Sequence, residues 1–211
     1  MKATARRRLP PDALVAVIMT ALVLPMWVPT AFKLLGRNVG FLRNLGFGSG
    51  PSGTPLAWVL ALAVAMIFSF FAVINIPSVN RTWRQPSWLK GLAFVAAIAA
   101  ATVEEAFFRR SVMDALMRMG AASVLQIAGS AVSFGLPHSF FGLMRLNLKA
   151  AMRASIATGI MGGLLAVIYI VGNRSLAPCI TAHFLITFAL EPGLLLAAVK
   201  GEWRPQSIQA G

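Results

Sequence analysis

Acid is scarce in this chain. Six of its 211 residues are Asp or Glu, against nineteen Lys and Arg, and charged residues of both signs make up only 12%. Cysteine is reduced to Cys179, which excludes an intramolecular disulfide and a cysteine-rich metal site. Histidine occurs twice, and neither an internal repeat nor a low-complexity segment is visible. Apolar residues fill the space that these absences leave. The chain is 58% hydrophobic, with a mean hydropathy of +0.76. A soluble domain of this size cannot bury so much apolar surface. The fold class is therefore all-α, a polytopic transmembrane helical bundle forming a single membrane domain over 1–211.

The net charge of +13 raises the question of nucleic acid. However, the Lys and Arg lie mainly in short segments between apolar runs. That distribution reads as a topology signal and as contact with anionic lipids, with no nucleic-acid partner. Lys2 and Arg6-Arg7-Arg8 precede an apolar run from Ala13 to Phe32 that resembles a secretory signal. Five further apolar runs and the lack of a small-x-small cleavage site favour an uncleaved first span. The expected spans are 13–32, 55–76, about 94–118, 121–145, 154–171 and 176–199, about six in all. The connector 33–54 can hold a short interfacial helix. Segments 1–12 and 200–211 are expected to be polar cytoplasmic tails. With six spans, the N-terminus, the 77–90 loop, the 145–153 connector and the tail share one side. They hold twelve Lys and Arg, against at most seven on the other. The positive-inside rule then puts both termini in the cytoplasm, in an inner (cytoplasmic) membrane.

One stretch breaks the apolar pattern: Thr102-Val-Glu-Glu-Ala-Phe-Phe-Arg-Arg110. An ionised side chain at bilayer depth costs several kcal/mol or more, so it is rare and usually functional. On a helix, Glu105 shares a face with Arg109 and can pair with it. Glu104 points about 100° away and has no local cation, which leaves it free to act as a base. A solvated charge cluster at a helix end is the competing reading. His138 follows Phe134 by one turn, and Pro137 removes a backbone donor beside it. His183, Thr187 and Glu191 are spaced to share one face of the last span. At 1.5 Å per residue, Glu104, His138 and His183 fall roughly 15, 10 and 18 Å from the cytoplasmic side, one level near the middle.

Three segments together carry a family resemblance. Glu104-Glu-x-x-x-Arg109, Phe134-x-x-x-His138 and His183-x-x-x-Thr187 resemble the three motifs of the CAAX protease and bacteriocin-processing (CPBP, or Abi) family. The run Gly162-Gly-Leu-Leu...Tyr169...Ser175-Leu-x-Pro178 is also similar to what precedes the family's last motif. The resemblance covers about residues 90–200, the expected catalytic core. It departs at Thr187, where the family usually has Asn. It implies intramembrane hydrolysis of a peptide bond in a membrane-embedded or lipid-associated substrate. Glu104, Glu105, His138, His183 and Thr187 become the candidate catalytic residues. Glu104 would activate water and His138 help to hold it, with His183 and Thr187 on the oxyanion and Arg109 in the structural pair with Glu105. The family has been described both as metalloproteases and as glutamate proteases, so Glu104, His138 and His183 are also candidate Zn²⁺ ligands. A proton-coupled transporter and a non-catalytic membrane scaffold are the alternatives for the same polar cluster. For topology, a reporter fused after Gly211 or inserted at 77–90 reads cytoplasmic, and one inserted at 40–54 reads external. Opposite reporter activities would invert the assignment.

Overall fold

Proline and small polar caps start the helices. Thr54 accepts a hydrogen bond from the Ala57 N–H and is followed by Pro55, opening one helix. Ser87 and Asn147 accept from the N–H groups of Lys90 and Ala150 and open two more. The computed structural model describes residues 10–35, 39–47 and 52–203. Lys2, Arg6-Arg7-Arg8, Arg37 and the tail beyond Trp203 lie outside the described residues.

The helices are α1 (Pro11–Leu35), α2 (Val39–Asn44), α3 (Pro55–Asn75), α4 (Pro77–Thr82) and α5 (Trp88–Glu105). A π-helical stretch, Ala106–Met113, joins α5 to α6 (Asp114–Arg118). Then come α7 (Ser123–Gly135), a 3-10 turn (Leu136–Ser139), α8 (Phe140–Leu143), α9 (Leu148–Val171), α10 (Ala177–Leu190) and α11 (Gly193–Lys200). No β-strand occurs among the described residues. The protein is an integral membrane protein built as a polytopic helical bundle.

Among the described residues, four helices are long and apolar enough to cross a membrane: 11–28 within α1, α3, Trp88–Arg118 and α9. The last two helices, bent by 53°, make a fifth if they are one broken span. Six were expected, and the differences have physical causes. Segment 121–145 is no single helix: it tightens at Leu136-Pro137, and Leu146 turns back at φ 52°. Proline lacks the donor that an α-helix interior needs. Segment 176–199 ends its first helix at Leu190. Glu191, which precedes Pro192, is extended at φ −81° and ψ 143°, since a residue before proline disfavours the helical region. Glu191 therefore leaves the face of His183 and Thr187. By contrast, the helix bearing the acidic motif continues unbroken past Arg110 to Arg118.

α10 is the centre of the bundle, packed between α3, α5 and α9, with α7 against α9, and α11 against α4 and α1. Without a hydrophobic drive between helices in lipid, close approach depends on small side chains. α5 buries Ala93, Ala96, Ala97, Ala99 and Ala101. Where α8 meets α9, a Cβ on Gly142 would lie 2.0 Å from the Ala151 nitrogen. A Cβ on Gly91, in the first turns of α5, would meet nothing within 4 Å. Thermal unfolding in detergent is expected to separate the two: Gly142→Ala destabilises by about 1–3 kcal/mol through overpacking, whereas Gly91→Ala is neutral or stabilising by up to about 1 kcal/mol.

Candidate active site

The geometry follows from two adjacent glutamates pointing in different directions. Glu105 and Arg109 are both wholly buried. Arg109 Nε donates to Glu105 Oε2 at 2.8 Å, and Nη2 donates to Oε1 at 3.3 Å. The remaining guanidinium nitrogen donates to the Ser130 hydroxyl on α7. The Phe134 ring lies 5.6 Å from the guanidinium carbon, within cation–π range. Arg109 sits in the π-helical stretch, a form frequent at functional sites.

Glu105 Oε1 also accepts from His183 Nδ1 at 2.9 Å. Both of its oxygens are therefore engaged, and it orients His183 as well as neutralising Arg109. With Nδ1 committed, His183 turns Nε2 towards Glu104, whose Oε2 is 3.9 Å away. That oxygen is buried and has no hydrogen-bond partner among the described residues. Leaving a buried acceptor unsatisfied costs about 1–3 kcal/mol, so it calls for an explanation.

His138 is set from the other side. Its Nδ1 is 2.8 Å from the Phe134 carbonyl oxygen. A carbonyl can only accept, so Nδ1 carries the proton and Nε2 is left for the site. In the 3-10 turn, Phe134 is the residue whose carbonyl Pro137 would have served had it an N–H. The His138 ring stacks on the Phe134 ring at 5.0 Å, and His183 meets the same ring edge-on at 5.5 Å. Phe134 is fully buried, and a Cβ on Gly162 would come within 2.8 Å of its Cβ.

Glu104, Glu105, Arg109 and His183 are thus in direct contact, and Phe134 brings His138 beside them. Thr187 lies one turn after His183 on α10, half-buried, and its hydroxyl makes no hydrogen bond among the described residues, although its carbonyl accepts from the Glu191 N–H. Thr30, Thr82 and Thr158 each bond back to the carbonyl four residues earlier. Thr187 does not, which leaves its hydroxyl available as a donor. Ser130 is the partner that sequence reasoning missed. A lone serine in an apolar run carries no signal, because its meeting with Arg109 depends on how α7 is rotated. Among the described residues, no three His, Cys, Asp or Glu side chains are placed to hold a metal ion. No step below passes through a metal.

A carboxylate oxygen buried without a hydrogen-bond partner among the described residues, 3.9 Å from a histidine nitrogen, is the kind of arrangement that supports acid–base chemistry. The sequence comparison is specific. Residues 86–189, about half of the chain, match the family model described as type II CAAX prenyl endopeptidase Rce1-like. The chain therefore carries a domain of the CPBP/CAAX protease family, a class of endopeptidases. Curated proteins and solved structures give no match.

The two glutamates are expected to part in a thermal unfolding assay. Glu105→Gln leaves Arg109 without its counter-charge and destabilises by about 3–5 kcal/mol. Glu104→Gln removes a carboxylate with an unsatisfied oxygen and unfolds at or above the wild-type temperature. Equal destabilisation by both would remove the distinction drawn between them.

Proposed function

We propose that this protein is an intramembrane endopeptidase that cleaves a membrane-associated, prenylated peptide, with Glu104 activating the water. The observation that carries the reading is the buried Glu104 Oε2, held without a partner 3.9 Å from His183 Nε2. Glu104 takes a proton from water as the oxygen attacks the scissile carbonyl carbon, and later delivers that proton to the leaving amine nitrogen. His138 accepts through its bare Nε2 and holds the water. His183, gripped at Nδ1 by Glu105 and acting as the imidazolium so that Nε2 also carries a proton, and the Thr187 hydroxyl donate to the developing oxyanion. Glu105 and Arg109 keep their fixed charges in place. The substrate class follows from the family's description, and the side of the bundle richer in Lys and Arg faces the cytoplasm and anionic headgroups of the inner membrane.

Purified protein in liposomes, given a prenylated peptide and its unprenylated counterpart, is expected to cleave the first. Glu104→Gln abolishes turnover while the protein stays folded. Chelation leaves turnover unchanged; a loss restored by zinc would replace this scheme with metal held by Glu104, His138 and His183. Proton flux without cleavage would favour the proton-coupled transporter instead. Thr187 gives a finer test, since one aimed donor in a dry site is worth about 3 kcal/mol. Thr187→Val is expected to lower kcat about a hundredfold, and Thr187→Asn to keep or improve it. Equal kcat for Thr187→Val and wild type would remove Thr187 from the site.

A further inference from the structure

The helix bearing Glu104 touches α10 at both of its ends as well as in the middle. At the C-terminal end, the Lys90 ammonium donates to the carbonyl oxygens of Ala189 at 2.7 Å and Glu191 at 2.9 Å. It also lies 5.2 Å from the Phe188 ring centroid. Carbonyls at a helix end lack intrahelical partners, and the helix dipole favours a cation there. At the N-terminal end, Arg174 stands in the turn that leads into α10. It donates to Asp114 Oδ1 at 2.5 Å and to Gln126 Oε1 at 2.6 Å. Tyr169 Oη donates to Asp114 Oδ2 at 3.3 Å. Asn173 and Arg174 hold left-handed backbone, φ 54° and 60°. Non-glycine residues keep that conformation only where their surroundings over-determine it.

Lys90 and Asp114 belong to one continuous helical run, on either side of Glu104. Between the two grips, apart from Thr102, Glu105, Arg109 and His183, the buried surfaces are small or apolar, with Ala93, Ala97 and Ala101 on α5, and Ala182, Ile186 and Leu190 on α10. Such surfaces pack closely without fixing how far one helix has slid along the other. Among the described residues, the polar bonds joining this helix to α10 and its turn are the two grips and the contacts of His183 with the glutamates.

We infer that Lys90 and Asp114 are positioning residues: the helix bearing Glu104 clasps α10 at both ends and so sets the axial register that places His183 beside Glu104. A slip of one residue moves a helix by about 1.5 Å. A misplacement of about 1 Å can cost a hundredfold in rate. The kinetic part of this inference rests on the proposed roles of Glu104 and His183.

The test uses the full chain in liposomes with the prenylated peptide. Lys90→Met and Asp114→Asn are each expected to lower kcat ten- to a hundredfold with KM unchanged. Lys90→Arg, which keeps both donations, retains kcat. Exchanging the pair, Asp114→Arg with Arg174→Asp, recovers kcat relative to Asp114→Arg alone. Unfolding temperatures that fall while kcat per folded molecule holds would reduce both residues to structural supports and overturn the inference. A second readout needs no turnover. Phe94 on α5 meets Phe184 and Phe188 of α10 at ring-centroid distances of 5.5 and 5.6 Å. In a Cys179→Ala background, Phe94→Cys paired with Phe184→Cys or with Phe188→Cys is expected to cross-link about equally. Loss of either grip shifts that ratio severalfold. A ratio unmoved by both Lys90→Met and Asp114→Asn overturns the clasp. If wild type fails to cleave yet the ratio shifts, the proposed function falls and the clasp stands.

Discussion

The buried guanidinium of Arg109 is the constraint on which the rest of the centre depends. A cation in an apolar interior persists only with a counter-charge and donors that all find acceptors. Here the carboxylate comes from Glu105, the hydroxyl from Ser130 on α7, and a ring face from Phe134. One residue of the helical run that continues α5 thereby fixes the rotation of α7 against it. Because Glu105 is held so firmly, its second oxygen can fix His183 on α10. Three helices are oriented by one charge.

The adjacent glutamate gains from what its neighbour loses in freedom. Successive helical residues point about 100° apart, so the guanidinium that satisfies Glu105 cannot also reach Glu104. Glu104 Oε2 is left buried and unpartnered, a stability cost of the kind that active sites carry. The histidines are oriented by the same device used twice, with Nδ1 held by a fixed acceptor and Nε2 left for the site. For His183 the acceptor is Glu105 Oε1, and for His138 the Phe134 carbonyl. Phe134 stands between both rings and cannot retreat, because α9 presses Gly162 against it.

Helical spacing alone announces the Glu105–Arg109 pair, the His138–Phe134 turn and the shared face of His183 and Thr187. Each involves residues four apart, whose neighbourhood one helix settles without help. Glu191 shows the limit of that rule. It is eight residues from His183, but the proline after it ends the helix first. The difference between six expected spans and four or five among the described residues has a related cause. Hydropathy registers the apolar content of 121–145 and 176–199, yet not the prolines' effect on their continuity.

By itself, then, the sequence determined that the chain is a helical membrane protein, that three of its six acidic residues fall between 104 and 114, and that one glutamate is paired and the other left over. Composition and the period of the helix suffice for those statements. The tertiary structure alone decided that Ser130 completes the shell of Arg109, that Glu105 rather than a backbone carbonyl holds His183, and that Lys90 meets the C-terminal carbonyls of α10 while Asp114 meets Arg174 in the turn before it. These contacts join residues from 21 to about a hundred positions apart. They depend on helix rotation and axial register, which small, interchangeable Ala and Gly surfaces permit but do not encode.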